Sequence, residues 1–281
     1  MHTRPASGNH ALKALLDGLY DRYATDGRIS SDPVGLPHMY TRPADIEAAA
    51  LVAASFAYGR VDLFKPVALG VLRALGDRPH DALLDFDAAM FCRENSGISY
   101  RFQKNPDIAG YLSLVSLALR KHGGLKKLFF SAAGTTVQER LSGMVRGILD
   151  GWDGKPPAGV AQLLPDPATG SACKRMYMFL RWMVRRDEVD FGLWAEYGAH
   201  NLVIPVDTHV ARISQKLGLT ARRSADYRMA VEITGNLRAF CPADPVRYDF
   251  AIAHLGISGD CPSRHDAKRC AGCDLFGVCS G

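Results

Sequence analysis

The sequence has no apolar run of the roughly 18 residues that a membrane-spanning helix needs. No apolar stretch follows Met1 in the way that opens a secretory signal. Internal repeats and low-complexity tracts are missing, and almost no segment alternates as a half-buried strand does. These absences argue against an integral membrane protein, a secreted protein, a repeat protein and a β-rich fold. We therefore expect a cytoplasmic, all-α protein.

Composition and charge are ordinary. The 281 residues are 47% hydrophobic and 22% charged, which is typical of globular chains. This length allows one large domain or two lobes with cores of their own. The net charge of +5 is compatible with a polyanionic partner, but it is too small to establish one.

Cysteines are concentrated at the C-terminus. Four of the seven lie in the last 21 residues with the spacing C-x8-C-x2-C-x5-C: Cys261, Cys270, Cys273 and Cys279. Clustered cysteines in an intracellular chain favour a metal site over disulfides. Thiolate-only sites hold either an iron–sulfur cluster or structural zinc. The compact, uneven spacing favours [4Fe-4S] over zinc.

A short motif, Val206-Asp207-Thr208-His209, precedes an apolar helical pattern. Asp207 is a preferred N-cap residue, and Val210, Ile213 and Leu217 follow at helical spacing. Pro205 biases the preceding residue towards an extended backbone. The simplest interpretation is that Asp207 only caps the helix, and a catalytic role needs support from elsewhere in the chain.

A basic helix is predicted over residues 171–186, with Lys174 in its first turn. The helix dipole and nearby arginines disfavour a cation there, so we expect a lowered pKa and a more nucleophilic amine. The alternative is an inert surface lysine or one that binds a phosphate. Lys174, Met178, Arg181 and Arg185 share one face, and three cations in a row suit a phosphate backbone.

Together these motifs resemble the helix-hairpin-helix DNA glycosylases of the endonuclease III type. The resemblance covers roughly residues 45–281 and includes the order of the helical lobe, lysine helix, V-D-T-H and cysteine loop. Residues 170–185 are closer still to an uncharacterised bacterial branch. The family's L-P-G-V-G hairpin is absent, and residues 164–170 stand in its place. The 33-residue separation of Lys174 and Asp207 is similar to that in archaeal 8-oxoguanine DNA glycosylases.

The resemblance implies a two-lobed helical fold. One lobe is formed by residues 46–203, and the second by residues 1–45 with 204–281, which end in an iron–sulfur loop at 257–281. Lys174 and Asp207 are the implied catalytic pair, and the cysteines are the ligands of a [4Fe-4S] cluster. The implied DNA contacts are Tyr58, Arg60, Arg181, Arg185, His209, Arg264, Lys268 and Arg269.

The implied function is base-excision repair. A nucleoid-associated monomer would bind double-stranded DNA, flip out a damaged and possibly oxidised base, and release it through a lysine Schiff base, with AP lyase activity. One alternative is an iron–sulfur DNA-binding protein that keeps the fold without the chemistry. Another is a zinc-stabilised regulatory module. The sequence does not name the damaged base.

Overall fold

The fold was analysed in a computed structural model that describes residues 6–279. Fifteen α-helices occur in this range, joined by turns and short 3₁₀ segments. They are α1 (Ala6–Tyr23), α2 (Asp26–Ile29), α3 (Pro43–Phe56), α4 (Val61–Leu75), α5 (Pro79–Leu84), α6 (Ala88–Glu94), α7 (Asn105–His122), α8 (Leu125–Ser131), α9 (Val137–Leu149), α10 (Ala158–Leu163), α11 (Lys174–Val184), α12 (Thr208–Lys216), α13 (Tyr227–Arg238), α14 (Asp249–Ile257) and α15 (Ala267–Ala271).

The all-α prediction is confirmed for the described residues, where pairing outside helices is limited to three isolated bridges. The lysine helix, predicted over residues 171–186, is shorter in the structure and spans Lys174–Val184. Cys173 caps it with a left-handed backbone (φ 43°), a conformation that interrupts a helix. No described helix is long and apolar enough to cross a membrane.

Helix α3 is the centre of the larger helical group. Residues 45–56 are all buried, and half of them are alanine or serine. Small side chains let neighbouring helices approach closely, and α3 packs against α4, α5 and α11. The second long core helix, α7, packs against α5, α6, α8, α9 and α10. This arrangement fixes α11, and with it Lys174, against the core.

The C-terminal helices form a second packing group. Helix α14 packs against both α1 and α12. A Cβ atom added to Gly256 of α14 would lie 2.7 Å from the Cβ of His209 on α12, so the two helices approach too closely for even a methyl group. The packing of α1 with α14 agrees with a lobe that combines both ends of the chain. The exact lobe boundaries stay a prediction.

Candidate active site

Lys174 and Asp207 meet at the N-terminal ends of α11 and α12. The Lys174 Nζ lies 2.8 Å from Asp207 Oδ2, although 33 residues separate the two in sequence. Asp207 Oδ1 accepts hydrogen bonds from the backbone N–H groups of His209 and Val210, at 2.9 and 2.8 Å. The carboxylate therefore caps α12 with one oxygen and binds the lysine with the other. Capping and a second role are compatible in this geometry.

The electrostatics of this pair correct one prediction. Burial is the largest single influence and lowers the pKa of Lys174. The charge and hydrogen bond of Asp207, together with the charges of Asp32 and Asp249, outweigh it, so the pKa of Lys174 is raised. Burial disfavours the Asp207 anion, yet Lys174 and the α12 backbone hold its pKa below the ordinary value. The predicted depression of the lysine pKa is wrong because the dipole argument omitted three carboxylates. In the free protein the pair is an ammonium and a carboxylate.

The pair faces a cleft of about 340 Å³. This volume lies in the range of pockets that take small organic groups. Five chain segments supply its walls: residues 31–33, the junction of α3 and α4, the first turns of α11, residues 205–210 and one face of α14. Lys174 remains 31% exposed and Asp207 17% exposed, so a ligand in the cleft can reach both.

Helix α14 gives the cleft further titratable groups. Asp249, Phe250, Ala253, His254 and Ile257 recur on one face and all line the cleft. The His254 Nε2 lies 3.1 Å from Asp32 Oδ2, and the His254 ring packs on Phe250 with centroids 4.1 Å apart. Burial raises the pKa of Asp249 to about 6, while Arg181 opposes the rise.

Two predicted phosphate contacts are corrected by the structure. Arg181 and Arg185 are only 3% and 5% exposed. Arg181 binds Asp190 and Asp249, and Arg185 binds Asp190, with Asp187 at 3.0 Å and Asp244 at 2.9 Å. Carboxylates of the protein therefore occupy the positions that DNA phosphates were predicted to fill. The two arginines do share one face of α11, as predicted, but the partners of that face are carboxylates of the protein rather than DNA phosphates.

Two of the predicted DNA-contact residues, Tyr58 and Arg60, have different environments. Arg60 is exposed at the rim of the cleft and pairs with Asp62 at 2.6 Å. Tyr58 is half-buried: its hydroxyl donates to Gln103, and its ring packs edge-on against Tyr100. Between them, Gly59 has a φ of 81°, which favours glycine. Of the two side chains, that of Arg60 is the exposed one.

His209 is half-buried, and the three predicted cations of the C-terminal loop are exposed. His209 lines the cleft beside Asp207. Arg264, Lys268 and Arg269 are exposed on the C-terminal loop, and Arg269 also donates to the backbone oxygen of Gly259 at 3.0 Å. Their contacts with DNA stay predictions.

The four C-terminal cysteines line a second, largely apolar cavity beside α12. All four are free thiols and half-buried. Burial raises the pKa of Cys261, and the nearby Cys273 and Cys279 raise it further. Among the described residues, however, no group of three or more histidine, cysteine or acidic side chains is already arranged to hold a metal ion. The thiols share a cavity without converging on one point.

An orphaned donor beside this cavity fits an anionic centre. Arg212 of α12 donates from Nη2 to the Cys261 backbone oxygen at 2.9 Å, while its buried Nη1 has no hydrogen-bond partner. A buried, unpaired guanidinium nitrogen is costly, and a thiolate-bound centre would offset its charge. Four thiols around one cavity beside an unpaired guanidinium are compatible with the predicted cluster, whose ligands would be Cys261, Cys270, Cys273 and Cys279.

Asp32, Asp249 and His254 were missed in the sequence. Asp249 and His254 are polar residues in the otherwise apolar stretch 248–257, and buried polar residues in such a stretch need partners. That signal was available. Asp32 carried no comparable signal, because it lies in a proline-rich connector whose path across the cleft depends on the tertiary fold.

Comparison with known proteins places the chain in a family. A family model described as "Protein of unknown function (DUF2400)" matches residues 32–258. The chain belongs to the DUF2400 family. Within DUF2400 the matched range contains Asp32, Lys174, Asp207, Asp249 and His254, and it ends before Cys261. No curated protein and no solved structure matches this DUF2400 chain.

Proposed function

We propose that the protein is a DNA base-excision glycosylase with AP lyase activity. The observation that carries this proposal is the 2.8 Å contact between Lys174 Nζ and Asp207 Oδ2 in a cleft of about 340 Å³. An amine paired with a carboxylate at the mouth of a ligand-sized cleft suits nucleophilic attack at a sugar carbon. The fold would be the two-lobed glycosylase type, with double-stranded DNA containing a damaged base as the partner.

The first chemical requirement is a neutral Lys174. Asp207 is the nearest group that can take its proton, and entry of the sugar between them would separate the two charges. Lys174 then attacks C1′, the base leaves, and the resulting Schiff base permits β-elimination. Asp207 passes the proton that it takes from Lys174 to solvent before the attack. It is therefore ionised again when the base leaves, and its carboxylate stabilises positive charge that develops on the sugar.

The remaining groups would hold DNA. Arg60 lies at the rim of the cleft, His209 beside Asp207, and Arg264, Lys268 and Arg269 on the loop that the cysteines close. A bound [4Fe-4S] cluster would fix that loop through four thiolates. Iron and acid-labile sulfide in protein purified without oxygen support this cofactor, whereas stoichiometric zinc contradicts it.

The second candidate is a DNA-binding protein of this fold without chemistry. The raised pKa of Lys174 favours it, because an ammonium surrounded by carboxylates is a poor nucleophile. Both candidates bind DNA, so affinity alone does not distinguish them.

Borohydride trapping separates the two. Duplexes carrying an abasic site, 8-oxoguanine, thymine glycol or uracil are incubated with the protein and reduced. We expect a covalent adduct with wild type that is lost in Lys174→Ala. Lys13→Gln is a matched control, since Lys13 also pairs with an aspartate, at 2.6 Å, but lies outside the cleft. If wild type gives neither an adduct nor a released base, the DNA-binding protein without chemistry is the candidate that remains.

A further inference from the structure

The α14 wall of the cleft carries an acid–base pair that the chemistry of Lys174 and Asp207 does not use. His254 is only 4% exposed and lines the same cleft as Lys174. Its Nε2 lies 3.1 Å from Asp32 Oδ2, and the other oxygen of Asp32 accepts from the Val34 backbone N–H at 2.9 Å. Both members of the pair are therefore held in place.

The environment suits a histidine that carries a proton. Burial disfavours the Asp32 anion, but the hydrogen bond and charge of His254 hold the pKa of Asp32 below its ordinary value. Asp32 therefore stays ionised near neutral pH and stabilises an imidazolium beside it. When both ring nitrogens are protonated, Nε2 donates to Asp32, and the proton on Nδ1 is the one available for transfer. A carboxylate that orients a histidine in this way is a recurrent arrangement for proton transfer.

We propose that His254, positioned by Asp32, is the general acid that protonates the departing base. This inference rests on the proposed glycosylase function. As Lys174 forms its bond to C1′, the bond from C1′ to the base breaks, and its electron pair goes to the base nitrogen. That nitrogen takes the proton from His254 Nδ1, so the base leaves neutral. His254 is then a neutral imidazole and recovers a proton from water.

The other groups in the cleft are less suited to this step. Lys174 is needed as the nucleophile, and Asp207 is ionised with a lowered pKa. Asp249 is the rival acid, since its pKa is about 6, but its Oδ2 already accepts a hydrogen bond from Arg181. His209 lines the cleft, but Asp32 is not its partner. The Asp249→Asn variant provides the direct comparison.

The test separates base release from the later chemistry. A preformed abasic site has already lost its base, so no leaving group needs a proton. We expect His254→Gln to lower release of the base from lesion duplexes by about 100-fold or more, while trapping on the abasic duplex is unchanged. Asp32→Asn should act in the same direction with a smaller loss. His80→Gln is the matched control, because His80 pairs with Asp81 at 3.2 Å away from the cleft.

The pH profile gives a second readout. Base release needs both a neutral Lys174 and an acid that still carries its proton, so in wild type the loss of that proton with rising pH offsets the gain in neutral amine. In His254→Gln this offset should be absent, and the residual base release should rise with pH as abasic trapping does. The groups whose charges bear on this offset come from every wall of the cleft: Asp32, Arg60, Asp62, Lys174, Arg181, Asp207, His209 and Asp249. If Asp249→Asn removes the offset and His254→Gln keeps it, Asp249 is the acid and the assignment is overturned.

The remaining outcomes are distinct. Unchanged base release in His254→Gln overturns the assignment, as does an equal loss of base release and abasic trapping, which indicates a structural role. If wild type releases no base from duplexes carrying 8-oxoguanine, thymine glycol, uracil, hypoxanthine or 7-methylguanine, the assignment falls even where abasic trapping succeeds. If wild type releases a base without trapping, only the lyase proposal fails, and loss of release in His254→Gln still supports the acid.

Discussion

The two ends of α11 carry the same kind of side chain into different surroundings. Lys174 at the first turn pairs with one aspartate and is 31% exposed at the cleft. Arg181, two turns later on the same face, is buried and contacts two buried aspartates. Periodicity identifies residues that share a face, but it does not say what covers that face. A lone, accessible ion pair suits chemistry, whereas a sealed network suits stability.

The strongest way to sharpen this contrast is Lys174→Gln. We expect borohydride trapping on an abasic duplex to fall below detection, since Lys174 is the one lysine among the described residues that line the cleft. DNA affinity should remain close to that of wild type, because one partly exposed cation is lost. Trapping at the wild-type level would remove Lys174 from the mechanism. Gel-based trapping and fluorescence anisotropy provide the two measurements.

Arg181→Leu should act on folding rather than on DNA contact. Removing this guanidinium leaves Asp190 and Asp249 buried with fewer partners, and the expected loss in unfolding free energy is about 3–5 kcal/mol. Urea denaturation measures it. Arg60→Leu is the exposed control and should change stability little. A variant with wild-type stability and weakened DNA binding would restore the phosphate-contact prediction.

Asp249, the buried partner of Arg181, provides a pH test of the contrast between the two ends of α11. The pKa of Asp249 is about 6 in the folded protein and 3.8 ordinarily, so the folded state binds the proton more tightly. Between about pH 4 and 6 this group therefore lowers the unfolding free energy as pH rises, by about 2–3 kcal/mol. Asp249→Asn does not titrate. The stability of wild type relative to this variant should decline across that range, and a constant difference would contradict the raised pKa.

The last prediction concerns the protonation of Lys174. Its pKa is raised, so at neutral pH the neutral amine is scarce, and each pH unit towards alkaline should raise its fraction about tenfold. The initial trapping rate on abasic DNA should rise accordingly from pH 6 to 8. Asp207→Asn removes the largest raising influence and should shift this rise to lower pH. A flat wild-type profile would show that another step limits the rate.

The sequence predicted local features better than the surroundings of each side chain. Asp207 as an N-cap and Lys174 at a helix start depend on nearby residues and are confirmed. The same reasoning placed Arg181 on the correct face but against the wrong partner. Its partner Asp249 is 68 residues away, and a contact of that separation has no local signal. The raised pKa of Lys174 was missed for the same reason.

The cysteine loop shows the same division between local and tertiary information. The spacing of the four cysteines predicted that they share one site, and in the structure all four line one cavity. The unpaired Arg212 Nη1 beside them had no signature in the sequence, because it depends on how α12 packs against the loop. Helix α12 therefore carries Arg212 beside the cysteine cavity, five residues after Asp207, which caps the same helix at the cleft.

The absence of a side chain at Gly256 limits the substitutions that this protein can accept in evolution. Helices α12 and α14 touch there, and they carry Asp207 and His254 respectively. Any larger residue at that position would force His209 aside or widen the gap between the helices. Such a change displaces two candidate functional groups at once, without altering a charge. Descendants of this chain should therefore tolerate replacement of many surface charges more readily than replacement of this glycine.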